Sequence, residues 1–264
     1  MIPVIKWTLW QRRWSILGWS LGTFGLIFIN MVFYPSFKDQ AAELQKSFSN
    51  LPDAAVQLIG GSTDFFSAVG FLNSQIYFLM LPMILTVLAI ALGSSLIGRE
   101  EDDGTLESLL ANPVSRSSLL GAKAISGLII LAAVTLVGLS TTLVLAKMVG
   151  LAIPFGNILI VTLACFGLVL ATGTISYFIA ATGRGRAFSI SVPAFLALGG
   201  YIIASLAGTV DWLKVPSKFL PFHYYQSEAI LKGNTNWSFI AVPFGVSLIF
   251  TVLAFIAFRR RDLG

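Results

Sequence analysis

Long apolar runs separated by short polar segments make up most of the chain. A helix needs about 20 mostly apolar residues to cross the hydrocarbon core of a bilayer. Six runs are long enough, at about 14–34, 75–98, 119–146, 154–182, 188–208 and 238–258. Polar segments 35–74, 98–118 and 209–237 lie between some of these runs. The pattern therefore predicts one all-α transmembrane domain, 1–264, with six transmembrane helices.

Composition excludes a soluble protein. Hydrophobic residues make up 56% of the chain and charged residues 11%, whereas a soluble domain carries about 25% charged residues. The net charge of +5 comes from Lys and Arg between the apolar runs. We therefore interpret the basic residues as topology signals and expect no nucleic-acid partner.

The distribution of positive charge predicts the orientation. Of the 17 Lys and Arg residues, about two thirds fall on the side that holds both termini and segment 98–118. Cytoplasmic loops carry this excess in membrane proteins. We therefore expect both termini and segment 98–118 in the cytoplasm, and segments 35–74 and 209–237 outside. Trp7, Trp10 and Trp14 further predict an interfacial helix before the first span.

Segment 98–118 is the most charged part of the chain. Acids at 100–103 and Glu107 surround Leu106, Leu109 and Leu110, which fall on one face of a helix. Pro113 should end that helix, and Ser115 or Ser117 can cap the next one. An acidic helix suits a groove on another protein better than the negative inner leaflet. A solvated loop with an interfacial helix is the alternative interpretation.

Four stretches together resemble one family. EEDDGTLESLLANPVSR followed by LLGAK is similar to the signature that ABC-2 type exporter permeases carry between spans two and three. FLNSQIYFLMLP at 71–82, LPFHYYQSEAIL at 220–231 and the terminal FRRRDLG resemble three further segments of that family. The resemblance covers essentially the whole chain, and the family comprises the membrane subunits of ATP-binding cassette exporters.

The resemblance implies a fold, partners and a mechanism. It implies an ABC-2 exporter-type fold in which a cytoplasmic coupling helix between spans two and three docks a separate ATPase. Two ATPase copies would bind ATP and Mg, and a second permease copy or homologue would complete a dimer. This chain has no phosphate-binding loop of the G-x-x-x-x-G-K-[ST] type, so we expect no catalytic site, metal or cofactor on it.

The resemblance also implies which residues contact the ATPase. The leucines would fill a groove on the ATPase, the acids would face basic residues at its rim, and Gly104 would allow a sharp turn into the helix. The expected coupling interface comprises Glu100, Asp102, Gly104, Thr105, Leu106, Glu107, Leu109, Leu110, Pro113 and Arg116. The expected cargo is an amphipathic drug, peptide, lipid or glycolipid. We expect this multi-pass protein, surrounded by membrane lipid, in the plasma membrane of a bacterium or archaeon.

Polar residues inside the spans are candidates for lining a transport pathway. They are Asn30, Thr86, Ser94, Thr172, Ser176 and Tyr177. Hydroxyl residues also pack helices together in membranes, and that interpretation stays open. Pro82 and Pro193 are expected to kink spans two and five.

Two rival functions are less well supported. An ion-coupled carrier or channel usually has ionisable residues within its spans, and here they are almost confined to span ends. An intramembrane metalloprotease needs two histidines, but His223 is the single histidine. A glutamate-type protease would use Glu100–Glu101 and Phe219…His223 together, and the predicted topology separates these pieces across the membrane.

Overall fold

The computed structural model describes residues 1–39, 52–58, 60, 67–97 and 115–260. Within these ranges the chain is helical and forms no strand. Six helices are long and apolar enough to cross a membrane, which confirms the predicted all-α fold. Spans 1 to 6 are Arg13–Ser36, Ala68–Ser95, Arg116–Met148, Phe155–Ala181, Arg186–Leu206 and Trp237–Arg260.

A short helix, Ile2–Gln11, precedes span 1 and packs against span 3. Trp7, Trp10 and Trp14 are 60%, 62% and 72% exposed, and the Arg13 guanidinium lies 4.0 Å from the Trp10 ring centroid. Exposed tryptophans beside a cation are typical of a helix at the membrane surface. The predicted helix before span 1 is therefore present, and its position at the membrane interface stays a prediction.

Spans 2 and 4 form the centre of the bundle. Span 4 packs against spans 2, 3, 5 and 6, and span 1 packs mainly against span 3. In the most apolar window of spans 2 and 4, 61% of the residues are buried, compared with 17% in span 1 and 22% in spans 5 and 6. The outer spans therefore expose apolar faces such as that of Phe195, as a protein surrounded by lipid requires.

Small residues bring the backbones of spans 2 and 4 together. A Cβ atom on Gly93 would lie 2.4 Å from the carbonyl oxygen of Gly173, and one on Gly173 would lie 3.0 Å from the Cβ of Ala89. Small residues four positions apart allow this close approach in membranes. The contact makes spans 2 and 4 one packed unit.

Span 2 begins earlier than the predicted residue 75. Its first turns are an α-helix, Ala68–Leu72, and a π-helix, Asn73–Tyr77, before the long helix Met80–Ser95. The Ser67 hydroxyl caps the start by accepting from the Gly70 N–H at 3.0 Å. The polar run Asn73–Gln75 hides this start from a hydropathy pattern, and the buried Asn73 side chain is satisfied by Gly60 and Ser227.

The segment between spans 5 and 6 is a chain of short helices. They are Asp211–Leu213, Lys214–Ser217, Pro221–Tyr224 and Ser227–Leu231, in agreement with the prolines and aromatic residues of this stretch. This segment lies at the end of the bundle where spans 5 and 6 meet, which we call the far end. The opposite, terminal end holds the N-terminal helix, the end of span 2, the start of span 3 and Arg260.

Candidate functional site

The segment that connects spans 2 and 3 is the candidate coupling site. Nine of its ten predicted residues lie outside the described residues: Glu100, Asp102, Gly104, Thr105, Leu106, Glu107, Leu109, Leu110 and Pro113. The tenth, Arg116, is the exposed first residue of span 3. Their assignment to an ATPase interface stays a prediction, and the described geometry concerns the two ends of the segment.

Both ends of the segment are ordered helix termini. Span 2 ends at Ser95, and the following Leu96 and Ile97 are buried. Before span 3, the Ser115 hydroxyl accepts a hydrogen bond from the Ser118 N–H at 3.2 Å, as expected of a helix cap. The segment therefore starts and finishes on the packed bundle.

Three contacts connect these ends to the rest of the terminal end. The Arg12 guanidinium, at the junction between the N-terminal helix and span 1, donates to the Ser95 carbonyl at 3.1 Å. The Tyr177 hydroxyl of span 4 donates to the Leu120 carbonyl of span 3 at 2.7 Å. Leu96 packs so closely on Gly127 that a Cβ there would lie 2.7 Å from its methyl carbon. A displacement of the segment would therefore act on spans 1, 3 and 4 as well as span 2.

Ser176 of span 4 connects two further spans through one hydroxyl. Its Oγ lies 3.1 Å from the Ile90 carbonyl of span 2 and 2.7 Å from the Ser189 carbonyl of span 5. Pro193 has no N–H, so it cannot donate to the carbonyl four residues earlier, which is that of Ser189. The shorter of the two hydrogen bonds therefore satisfies an acceptor that the proline leaves without its helical partner.

Three other pathway candidates also bond to backbone. Asn30, Ser94 and Thr172 donate to the carbonyls of Leu26, Ala91 and Val169 in their own helices. Thr86 and Thr172 line a cavity of about 20 Å³ between spans 2, 4 and 5, which has room for a water molecule and little more. A pathway role for these residues stays a prediction.

A second polar cluster lies at the far end, around the π-helix of span 2. Asn73 is fully buried, and its amide nitrogen donates to the Gly60 carbonyl at 3.2 Å. Its side-chain oxygen accepts from the Ser227 hydroxyl at 2.7 Å. Both functions of one buried amide are therefore satisfied by residues from two different connecting segments.

Two tyrosines extend this cluster to span 4. The Thr162 hydroxyl donates to the Ile158 carbonyl at 2.8 Å, so it accepts from the Tyr77 hydroxyl, also at 2.8 Å. The Tyr225 hydroxyl donates to the Tyr77 carbonyl at 2.6 Å. We call the buried set Asn73, Tyr77, Thr162, Tyr225 and Ser227 the far-end network. It joins segments 71–82 and 220–231, which separately resemble segments of ABC-2 permeases.

His223 is hydrogen-bonded to a buried serine of the same connecting segment. Its Nδ1 lies 3.2 Å from the hydroxyl of Ser217, which is fully buried and donates to the Lys214 carbonyl at 3.0 Å. Both hydrogen bonds form together when Nδ1 carries the proton and donates to the Ser217 hydroxyl. Burial, and then the charge of Lys218, lower the pKa of His223. Among the described residues, no three His, Cys, Asp or Glu side chains gather into a metal site.

Sequence reasoning missed several residues that organise these two sites. Gly93 could have been found from its spacing with Ala89, which is a small residue four positions earlier. Arg12 was counted only as a topology charge, and nothing in its local sequence points to the Ser95 carbonyl. The partners of Asn73 and Tyr77 are more than 80 positions away in all but one case.

Comparison with known proteins gives a family. No curated protein matches the chain. A family model described as "ABC-2 family transporter protein" matches residues 12–263, which is nearly the whole chain. The match includes both segments of the far-end network and the whole candidate coupling segment. The chain therefore belongs to the ABC-2 family of transporter proteins and is a membrane component of an ABC transporter.

Proposed function

We propose that the chain is the permease subunit of an ATP-driven exporter that moves an amphipathic molecule out of the cell. Two copies of a separate ATPase bind ATP and Mg and dock on segment 98–118 of two permease subunits, either identical or homologous. Closure of the ATPases moves the coupling segments, and the spans transmit that motion. The observation that carries the proposal is the anchoring of both ends of this segment in the helical bundle.

The contacts of the terminal end support a route for the motion. Span 2 reaches the coupling segment at Ser95 and shares a close backbone contact with span 4 at Gly93. Span 3 leaves the segment at Arg116 and receives the Tyr177 hydrogen bond one turn later. A displacement of the segment would therefore move spans 2, 3 and 4 together. The hydrogen bond from Ser176 to the Ser189 carbonyl would transmit part of this displacement to span 5.

The far-end network suits a closure at the outer side. Span 2 connects the coupling segment at its terminal end to the π-helix Asn73–Tyr77 at its far end. π-turns within helices are often functional sites. We infer that displacement of span 2 weakens the hydrogen bonds to Ser227 and Tyr225 and opens the outer side during transport.

The interior favours an amphipathic cargo over an ion. Among the described residues, Lys123 is the charged side chain that is buried, at 5% exposure, and it lies near the start of span 3. The other buried polar groups are hydroxyls and an amide. Ion- or proton-coupled transport normally uses ionisable groups within the spans, so the interior suits apolar or neutral surfaces better.

A co-purification experiment tests the coupling segment. Leu109→Asp with Leu110→Asp should abolish capture of the ATPase, because two charges on the apolar face cannot enter an apolar groove. Ser108→Asp is the matched control, since helical periodicity puts it on the opposite face. Intact capture by the double variant would sink the assignment, provided that all three proteins insert and elute as single species.

A functional measurement tests transport. The permease–ATPase complex in lipid vesicles should show ATPase activity stimulated by its cargo class. Lipids, peptides and amphipathic drugs can be compared directly, with the Leu109→Asp, Leu110→Asp complex as the background. Failure of every class to stimulate hydrolysis would favour an ATP-independent carrier or channel.

A further inference from the structure

A groove runs along one side of the bundle between spans 3 and 6. Its inner part is a cavity of about 290 Å³, with apolar walls that include Leu131, Leu170, Phe244 and Leu248. A second cavity of about 600 Å³ lies at the terminal end, between Ser117 of span 3 and Arg259 and Arg260 of span 6. Thr251 lines both cavities, so they adjoin at this residue. We call them together the span 3–span 6 groove.

The groove is long enough to hold a lipid chain of one leaflet. Phe244, Leu248, Thr251, Phe255 and Arg259 follow one face of span 6 at intervals of three and four residues. The distance from Phe244 to Arg259 is about 22 Å at 1.5 Å per residue. Half of the hydrocarbon core is about 15 Å. With Arg259 at the membrane surface, the inner cavity therefore lies near the middle of the bilayer.

The hydroxyls of the inner cavity offer no free hydrogen-bond donor to an occupant. Its hydroxyls all donate to backbone carbonyls: Thr251 to Ser247, Ser247 to Pro243, Thr174 to Leu170 and Tyr177 to Leu120. A phosphate or carboxylate buried here would lose its hydrogen bonds to water and find no free hydroxyl donor to replace them. Hydrocarbon is the chemistry that fits.

The mouth of the groove, which is the cavity lined by Arg259 and Arg260, is positively charged. Arg259 and Arg260 are both exposed, and neither is paired with a carboxylate among the described residues. Both arginines line the same cavity, and guanidinium groups suit a phosphate, which they can bind through paired hydrogen bonds. A second copy of this chain would bring like charges together at the same depth, since a two-fold axis normal to the membrane keeps Arg259 at one level.

We propose that the span 3–span 6 groove binds an anionic phospholipid, with its phosphate on Arg259 and Arg260 and one acyl chain in the inner cavity. The site does not depend on the proposed export function, because it requires neither ATP nor a second subunit. Basic pockets between spans are a recognised way of binding anionic headgroups.

Photolabelling of the full chain in phosphatidylcholine nanodiscs tests the site. The probe is a phosphatidylglycerol with a diazirine in the middle of one acyl chain, and a phosphatidylcholine with the same chains is the comparison. Labelled peptides identified by mass spectrometry should come from spans 3 and 6. Phosphatidylglycerol should label them more than phosphatidylcholine does at equal concentration.

Two pairs of variants separate the headgroup from the chain. Arg259→Gln with Arg260→Gln should lower phosphatidylglycerol labelling about 25-fold, or about fivefold per arginine near the surface. Arg184→Gln, an exposed arginine at the same end, should leave it unchanged. Thr251→Phe fills the groove and should remove the mid-chain label, whereas Leu253→Phe, on an exposed face of the same span, should retain it.

Several outcomes would overturn the proposal. Equal labelling by the two lipids, or labelling that the arginine variants do not reduce, would mean that no anionic headgroup is recognised. Crosslinking of spans 3 and 6 to a second copy, or to residues 98–114 of the same chain, would mean that protein fills the groove. The arginine variants change exposed side chains, so their result is decisive even if Thr251→Phe does not fold.

Discussion

At the scale of single residues, the hydroxyl of Ser176 has a defined structural task. It donates to the Ser189 carbonyl, which Pro193 leaves without a helical donor. Ser176→Ala should lower the free energy of unfolding by about 1 to 2 kcal/mol, because an acceptor stays unsatisfied in the bundle. Denaturant unfolding in mixed micelles measures this, with Ser140→Ala as the control, since that exposed hydroxyl bonds only within its own helix.

The assignment to Pro193 can be isolated in a double-mutant cycle. Pro193→Ala restores an N–H that can donate to the Ser189 carbonyl. In the Pro193→Ala background, Ser176→Ala should lower the free energy of unfolding clearly less than it does in the wild type. The difference between the two decreases is the coupling energy of Ser176 and Pro193. Equal costs in both backgrounds would mean that the Ile90 contact or packing, and not the proline, explains the effect.

His223 gives a second prediction at this scale. Burial and Lys218 hold the pKa of His223 below its usual 6.5. His223 therefore binds a proton more tightly in the unfolded state than in the folded state. The free energy of unfolding is at its full value above pH 6.5, and it decreases as the pH falls from 6.5 toward the pKa of His223 in the folded state. His223 is the single histidine, so one imidazole resonance reports its titration by NMR. Lys218→Gln should raise the midpoint. Lys232→Gln, which removes a lysine paired with Glu228, should leave it unchanged.

At the scale of elements, the tightest contact between spans is the one most sensitive to a single methyl group. A Cβ on Gly93 would meet the Gly173 carbonyl at 2.4 Å, a backbone atom that cannot rotate away. Gly93→Ala should therefore separate spans 2 and 4 and destabilise the protein by about 1 to 3 kcal/mol. Gly245→Ala in span 6 has open space around it and is the matched control. Equal thermal unfolding of the two variants would contradict the close packing.

Elements also show which features a sequence pattern can predict. Six spans follow from apolar runs alone, because the bilayer dictates their length. The start of span 2 does not follow from the apolar runs. Its polar residue Asn73 can be buried because Gly60 and Ser227 form hydrogen bonds with its side chain. Ser176 and Tyr177 stood out as polar residues in apolar helices, but only the structure connects them to the Ser189 and Leu120 carbonyls. Hydrogen-bond partners that are far apart in the sequence do not produce a periodic pattern of residues.

At the scale of the whole molecule, the two ends of the bundle differ in charge and chemistry. The terminal end carries the candidate coupling segment and the arginine mouth of the span 3–span 6 groove. The far end carries the buried polar network and two exposed ion pairs, Lys214–Asp211 and Lys232–Glu228. ATP is cytoplasmic, so export by the proposed mechanism requires the terminal end to face the cytoplasm.

Cysteine accessibility in intact cells tests that orientation. Cys165 is fully buried, so the wild-type chain is the unlabelled background for a membrane-impermeant maleimide. Asn234→Cys and Thr209→Cys lie at exposed far-end positions and should be labelled from outside. Ser117→Cys and Arg184→Cys lie at exposed terminal-end positions and should react only after the membrane is permeabilised. The physical reason is the excess of Lys and Arg at the terminal end, which resists translocation. The reverse labelling pattern would put the coupling segment outside the cell, where no ATPase could drive it, and would exclude the proposed mechanism.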